Sequence, residues 1–296
     1  MSSKTKGFII AMVSSCTFGM IPLFSKPCLD AGMGTLDVIT HRYGIGCLAM
    51  LVIMLFQGLN LKITWQDAWR IFILALFNNL GAFTLIYGYN FMDTGAATTI
   101  QFSYPVFTCI IMMTFFHERL TLRTGLAILL AVIGVACLSG YNPMEGNISF
   151  LGVFIELMAG LTYAIYLVLV PVLKIRDIES SKLTFYVFFL STLQLLAVSP
   201  LDGGFTLATD GNMLTNLLLL GLIPTAISNF TLILGLKRIG STLTSILGAM
   251  EPLTAMLIGV CVFHEDFTLE ISLGFVAIIV SVAILILKQP VAPVKQ

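Results

Sequence analysis

The chain of 296 residues is 58% hydrophobic and only 10% charged, and its formal net charge is zero. An ordinary soluble domain is about 25% charged, and a folded chain of this size cannot hide so much apolar surface from water. The composition therefore excludes a water-soluble protein, and the neutral charge argues against a nucleic-acid partner, which would require a basic surface.

Runs of apolar residues recur along the whole chain, and each is about long enough to cross a bilayer. A hydrocarbon core of about 30 Å requires roughly 20 apolar residues in a helix. No segment between the runs is long enough for a separate soluble domain, so the predicted fold is an all-α membrane protein. In chain order, the ten predicted spans lie near residues 7–26, 36–57, 70–90, 94–115, 121–140, 150–172, 183–200, 213–235, 240–262 and 268–287.

The basic residues predict the orientation of these spans. With the N-terminus in the cytoplasm, the loops on that side hold thirteen of the fifteen Lys and Arg residues, and only Lys26 and Arg42 are exceptions. Cytoplasmic loops of membrane proteins carry an excess of Lys and Arg. We therefore predict ten transmembrane helices with both termini in the cytoplasm.

The two halves of the sequence resemble each other. A shift of 147 residues aligns "YPVFTCIIMMTFFHERLTL" (104–122) with "EPLTAMLIGVCVFHEDFTL" (251–269), and a shift of 145 aligns "GFIIAMVSSCTFG" (7–19) with "GVFIELMAGLTYA" (152–164). These matches predict two five-helix repeats, residues 1–145 and 146–296. Because five is odd, the second repeat would enter the membrane from the opposite side, and inverted repeats are typical of secondary transporters.

The repeated segments resemble the drug/metabolite transporter superfamily, and in particular its ten-helix EamA branch. The resemblance rests on Pro105 with "HERLT" (117–121) and on Glu251-Pro252 with "HEDFT" (264–268), and it extends over essentially the whole chain. It implies an inner-membrane bundle of a bacterial cell, monomeric or homodimeric, with a central cavity between the halves and alternating access. Such carriers move amino acids, other metabolites or drugs, often outward.

Glu251 is the first candidate for a functional residue. It lies about eleven residues into the ninth span, which places it roughly 16 Å deep in a core of about 30 Å. Pro252 removes a backbone donor, and a bent helix beside a carboxylate is typical of a midplane transporter site. We expect Glu251 to bind a substrate amine, to carry a coupling proton, or to do both by competition. The alternative is a purely structural hydrogen bond to another helix.

The first repeat places Tyr104, next to Pro105, at the position equivalent to Glu251. Gln101 and Pro105 share one face of that helix, because they are four residues apart. Small and polar faces at equivalent places can line a cavity together, or they can be packing seams, since small residues promote helix association in lipid. Both interpretations remain open at this point.

Three further ionisable residues lie nearer the outer ends of their spans. Glu156 is about one turn inside the sixth span, and His41 and Arg42 have a comparable depth in the second. Intramembrane charges are costly and normally face a cavity or a partner. The sequence therefore allows a Glu156–Arg42 pair that offers both charges to a zwitterion. It equally allows an Arg42 that extends to the surface beside a hydrated Glu156.

Four uncharged residues complete the candidates for substrate binding. Asn79 lies in the third span and Asn229 in the eighth, whereas Phe18 and Tyr163 occupy equivalent places in the first and sixth spans. Packing or interhelical hydrogen bonds would also account for each of them.

The favoured prediction is a secondary exporter of small organic solutes such as amino acids or related metabolites, with protons as the candidate coupling ion. A multidrug or organic-cation exporter of the same fold is the alternative, and a channel is disfavoured by the inverted halves. An enzyme is not expected, because His41, His117 and His264 have no nucleophile or metal-ligand partner on one helix face. We expect no cofactor.

Overall fold

The computed structural model describes residues 3–88, 91, 100–138, 150–173, 178–202, 204–208, 210–262 and 269–287. The described residues are helical and contain no β-strand, as expected where backbone groups cannot bond to water. In chain order the helices are α1 (Ser3–Phe18), α2 (Ile21–Asp30), α3 (Thr35–Phe56), α4 (Trp65–Gly88), α5 (Tyr104–Phe116), α6 (Leu122–Leu138), α7 (Phe150–Val172), α8 (Ser180–Val198), α9 (Gly211–Gly221), α10 (Ser228–Leu247), α11 (Met250–Val262) and α12 (Leu269–Leu287).

Length and composition identify which helices can cross a membrane. Within the described residues, six helical segments qualify: Thr5–Asp30, Thr35–Phe56, Trp65–Leu85, Phe150–Val172, Ser180–Val198 and Gly211–Leu247. Three shorter apolar helices, Tyr104–Phe116, Leu122–Cys137 and Ser272–Ser281, lie within other predicted spans. The protein is therefore an all-helical, multi-pass membrane protein, as the composition predicted. The count of ten spans and the orientation of the termini stay predictions.

Several spans are interrupted in their interior. Residues 19 and 20 separate α1 from α2, where Pro22 takes a position in the first turn that needs no backbone donor. A π-helix, Leu222–Ile227, joins α9 to α10 around Pro224, and such segments occur where the regular hydrogen-bond ladder is disturbed.

The predicted boundary between the eighth and ninth spans falls at a kink inside α10. Gly240 has φ 82° and ψ 172° there, a conformation open essentially to glycine alone. A second break, at residues 248–249, precedes α11 and places Glu251 and Pro252 in its first turn.

A comparable break lies inside the predicted fourth span, where α5 begins at Tyr104 with Pro105 in its first turn. The same helix ends at His117, whose φ of 53° is left-handed, and Glu118 accepts a hydrogen bond from Thr242 Oγ1 at 2.9 Å. The equivalent pair His264-Glu265, the beginning of the fourth span and the predicted repeat boundary at residues 145–146 lie outside the described residues.

Four extensive helix pairs hold the bundle together, and each joins the two halves of the chain. The pairs are α1 with α10, α3 with α8, α4 with α7, and α6 with α12. In terms of the predicted spans these are 1 with 8, 2 with 7, 3 with 6, and 5 with 10. The set is symmetric between the two halves. If each span is exchanged for the span five places away in the chain, the pair 1 with 8 becomes 6 with 3, and the pairs 2 with 7 and 5 with 10 become themselves.

Glycine permits close approach in two of these pairs, which we call the α1–α10 seam and the α4–α7 seam. Gly235 of α10 packs on Ala11 of α1, and a side chain added at Gly88 of α4 would overlap the carboxyl group of Glu156 on α7. Small residues of this kind bring helices together in lipid, where dispersion contacts replace the hydrophobic effect.

Polar contacts tie α3 and α8 to each other at both ends. At the start of α3, Asp37 accepts hydrogen bonds from the backbone N–H of Thr206 at 3.3 Å and from its hydroxyl. At the start of α8, Lys182 donates to Asn60 Oδ1 at 3.0 Å, and Ser181 donates to Gln57 Oε1 at 2.6 Å. Each loop is thereby fastened to the helix that begins beside it.

Candidate functional site

A small cavity lies inside the bundle where the two halves meet. Its volume is about 10 Å³, enough for about one water molecule. Hydroxyl groups, aromatic rings and one carboxylate face it, which makes it amphipathic. The lining residues are Ser14, Ser15, Phe18, Tyr104, Tyr163, Leu167, Leu232, Thr244, Ser245, Gly248 and Glu251.

Glu251 supplies the carboxylate of this cavity from the first turn of α11. Its side chain is partly buried, and the backbone carbonyl of Glu251 packs against Gly19 at the α1–α2 break. The first turn of a helix has unpaired N–H groups and a partial positive charge, which favour a carboxylate. Two helix breaks therefore meet at the one acidic residue of the cavity.

Three aromatic rings extend from this carboxylate across the cavity. Tyr104, almost fully buried, contacts Gly248 through its hydroxyl. The Tyr104 ring meets that of Tyr163 edge-on, with 4.9 Å between centroids, and Tyr163 lies 6.4 Å from Phe18. The two halves contribute rings alternately, so that the row spans the interface between them.

Arg42 lies over the Phe18 ring of this row and is only 6% exposed. Its guanidinium carbon is 5.1 Å from the Phe18 ring centroid and 5.5 Å from that of Tyr43, within the range of a cation–π interaction. The Nε of Arg42 donates to Thr225 Oγ1 at 2.7 Å, from the π-helix. Arg42 and Glu251 are close enough for an attractive charge interaction.

The expected alternatives for Glu156 and Arg42 are both wrong within the described residues. Neither Glu156 oxygen has a hydrogen-bond partner there, and no ion pair joins the two side chains. Arg42 does not extend to the surface and Glu156 is not hydrated, because they are 6% and 0% exposed. The rotation of α3 directs Arg42 towards α1, whereas Glu156 faces α4, so the two residues occupy different interfaces.

Four other predicted residues do not line the cavity. His41 Nδ1 donates to the Asp37 carbonyl at 2.8 Å, and its ring stacks on Phe205 at 4.6 Å. Asn229 Nδ2 donates to the carbonyl of Thr225, four residues earlier in the adjoining π-helix, at 3.0 Å. These contacts give both side chains local roles.

Asn79 and Gln101 complete this group. Asn79 Nδ2 donates to the Ser191 carbonyl at 3.1 Å and to Gln194 Oε1 at 2.9 Å, which ties α4 to α8. Gln101 places its backbone carbonyl against Gly160 of α7. Both residues act in helix packing beside the cavity.

Reasoning from the sequence missed several residues at the site, among them Tyr43 and Ser14. Tyr43 is buried, and its ring lies beneath the Arg42 guanidinium. Ser14 lines the cavity four residues before Phe18, so it shares a helical face with Phe18. That spacing would have identified Ser14, whereas no local pattern distinguishes Tyr43 from a packing residue.

Similarity to known proteins agrees with this architecture. Residues 5–140 and 150–287 match the model of the EamA-like transporter family. An uncharacterized transporter of Archaeoglobus fulgidus is 28% identical over 261 residues, which cover 85% of this chain and 91% of that protein. The uncharacterized transporter YoaV of Bacillus subtilis is 22% identical, with 79% of this chain and 80% of YoaV covered.

A solved crystal structure shares the fold. It superposes with a TM-score of 0.82 at 16% sequence identity, over 96% of this chain and 97% of the other. The family match covers nearly the whole described sequence, and the helices around the cavity lie within it. This protein is therefore a multi-pass membrane transporter that belongs to the EamA-like transporter family.

Proposed function

We propose that the protein is a secondary transporter that exports small zwitterionic solutes, amino acids and related metabolites foremost, by alternating access. The observation that carries this proposal is that the Glu251 carboxylate lines the cavity while the buried Arg42 stacks on Phe18, an aromatic ring of the same cavity. A solute ammonium group would bind Glu251, its carboxylate would bind the terminal nitrogens of Arg42, and its side chain would pack on Phe18 and Tyr163. Buried charges of opposite sign favour a solute that carries both.

The size of the cavity supports alternating access. Binding sites for small molecules usually enclose about 300–1,000 Å³, far more than the cavity of about 10 Å³. The helices around it must therefore separate before a solute can bind. The breaks at residues 19–20, 222–227 and 248–249 lie beside the cavity and provide hinges, since interrupted helices can change direction at low cost.

The pairing of helices supports the repeat organisation. The four pairs that join the halves are those expected of two five-helix repeats related by a two-fold axis, which is the arrangement of inverted-repeat carriers. We place both termini in the cytoplasm of a bacterial cell and the bundle in its inner membrane. We propose that one protomer is a complete transport unit and that a homodimer would contain two.

Protons are the proposed coupling ion. Glu251 is the carboxylate of the cavity, so a proton and a solute ammonium group would compete for the same oxygen atoms. Competition for one carboxylate allows proton entry to drive solute exit, since the two ligands occupy the site in alternate halves of the cycle.

Counterflow in proteoliposomes tests this proposal. We would compare the wild type with Glu251→Gln, using a panel of amino acids and bulky organic cations, with and without an inward proton gradient. Asp67→Asn is the matched control, because Asp67 pairs with Arg70 on the protein surface at 3.0 Å, remote from the cavity.

The expected result is saturable amino acid counterflow in the wild type and in Asp67→Asn, stimulated by the gradient, and its loss in Glu251→Gln. Competition by organic cations alone would favour the multidrug alternative, which the aromatic row could also serve. Flux that does not saturate would contradict the carrier mechanism. Undiminished coupling in Glu251→Gln would remove Glu251 from the site.

A further inference from the structure

The two seams between the halves differ at one equivalent position. In the α1–α10 seam, the methyl group of Ala11 packs against Gly235. The repeat alignment places Glu156 and Gly88 of the α4–α7 seam at the same two positions. The carboxyl group of Glu156 therefore occupies the place that a methyl group occupies in the other seam. Its presence there is not required for the helices to pack.

Glu156 is completely buried in this seam, and it does not line the solute cavity. Its exposed fraction is 0%, and neither carboxyl oxygen has a hydrogen-bond partner in the part of the chain that the structure describes. An ionised carboxylate without a partner costs far more in an apolar interior than a neutral carboxyl group. The packed seam therefore accommodates Glu156 in its protonated form.

The helices packed on α7 place no charge beside Glu156 within the described residues. Lys237 and Arg238 lie near the Gly240 kink, where Ser241 bonds to the Leu167 carbonyl at 2.8 Å, about three helical turns from Glu156. Among the described residues, no charged group acts on the Glu156 carboxyl. The ionisable residues of these helices are Asp67, Arg70 and Tyr87 on α4, Tyr104 and Cys109 on α5, and Lys237 and Arg238 on α10.

We propose that Glu156 is a proton-binding site, separate from the solute cavity, that controls opening of the α4–α7 seam. With a proton bound, the seam closes on Gly88. When the seam separates, water reaches the carboxyl group, the proton leaves to that water, and the carboxylate becomes hydrated. On closure the carboxylate takes a proton back from the same aqueous side, so each opening and closing is balanced.

This inference rests on the proposed function for its place in the cycle. In the proposed orientation, Gly88 ends the third span at the outer face, and Glu156 lies at the outer end of the sixth. External acidity would then favour the state closed to the outside, and of the two carboxyl groups only that of Glu251 would contact the solute. Because the α1–α10 seam has Ala11 at the equivalent position, it would show no such dependence on pH.

Spin-label distances test the gate without any solute. The label pair Phe83→Cys and Phe154→Cys reports the α4–α7 seam, and the pair Ile9→Cys and Arg238→Cys reports the α1–α10 seam; all four side chains are exposed. Labels would be placed in a variant without the six native cysteines, reconstituted in lipid, and measured from pH 5 to pH 9. Glu156→Gln, which keeps the size of the side chain but cannot ionise, is the test variant.

We expect the α4–α7 distance to lengthen at alkaline pH by on the order of 5 Å, one helical turn, and to stay short at every pH in Glu156→Gln. The α1–α10 distance should be constant in both proteins, which also verifies that the variant is folded. A wild-type distance independent of pH, or an unchanged response in Glu156→Gln, would overturn the proposal. Counterflow measured with the unlabelled wild type distinguishes failure of the transport proposal from failure of the gate proposal. If counterflow is absent, the transport proposal is contradicted, but the distance measurement still tests the gate.

Discussion

The guanidinium group of Arg42 lies over the ring of Phe18, with 5.1 Å between the Arg42 Cζ atom and the ring centroid. This contact joins α3 to α1, and the hydrogen bond from Arg42 Nε to Thr225 joins both to the π-helix at 2.7 Å. One buried cation thereby organises three helical segments beside the cavity. Arginine suits this place because its planar group can stack on a ring and donate hydrogen bonds at the same time.

Arg42→Lys tests whether the shape of the side chain matters as well as its charge. Lysine keeps the positive charge but cannot stack on Phe18 while donating to Thr225 in the same plane. We expect the apparent KM for amino acid counterflow to rise about tenfold, the equivalent of about 1.4 kcal/mol. Arg70→Lys is the control, since Arg70 pairs with Asp67 at the surface and such pairs contribute little. Equal kinetics in both variants would argue against a site role for Arg42.

Gly248→Ala tests the contact between Gly248 and Tyr104 at the cavity. A methyl group at Gly248 would overlap the Tyr104 hydroxyl, so we expect counterflow and thermal stability to fall by amounts typical of overpacking, about 1–3 kcal/mol for stability. Tyr104→Phe in the same protein should restore part of the loss, because it removes the overlapping atom.

Gly125→Ala serves as the control for this pair, because a methyl group there has no neighbour within 4 Å. We expect it to leave both measurements unchanged. If Tyr104→Phe restored nothing, the effect of Gly248→Ala would have to arise in its own helix.

The α1–α10 seam contains a reciprocal pair of hydroxyl groups. Ser14 Oγ donates to the Ser228 carbonyl at 2.8 Å, and Ser228 Oγ donates to the Ser14 carbonyl at 3.0 Å. Interhelical hydrogen bonds of this kind contribute about 0.6–2 kcal/mol in membranes. We expect Ser14→Ala to lower the unfolding free energy by about that amount, and a double-mutant cycle with Ser228→Ala to show coupling.

Thr84→Ala is the matched control, because Thr84 Oγ1 bonds the Leu80 carbonyl of its own helix at 2.6 Å. Its substitution should change the unfolding free energy by less than that of Ser14. Additive effects of Ser14→Ala and Ser228→Ala would mean that the two hydroxyl groups act independently.

The contacts at the two ends of the α3–α8 pair predict that each of two variants loosens a different loop. Asp37→Ala removes the acceptor for Thr206, so amide hydrogen exchange over residues 204–208 should accelerate. Lys182→Ala removes the donor to Asn60 and should accelerate exchange over residues 57–63 instead. Each variant is the control for the other, because exchange follows local opening. Acceleration of both segments in either variant would contradict independent ends.

The sequence by itself determined the all-helical membrane fold and the family. Both follow from local properties, since the bilayer dictates the length and polarity of each span, and the repeated motifs stand at fixed spacings. Pro105 and Pro252, together with Tyr104 and Glu251, were identified by the same repeat. Their roles in transport remain predictions.

Only the tertiary structure decided which polar groups meet. Each residue turns a helix by about 100°, so a small error in the rotation of α3 moves Arg42 from one interface to another. The sequence allowed a Glu156–Arg42 pair as one of two alternatives because the depths of the two residues matched. Depth is a property of one helix and can be counted along the chain, but the neighbour of a side chain depends on how two helices turn and cross. For that reason Arg42 lies with Phe18 and Thr225, while Glu156 packs against Gly88.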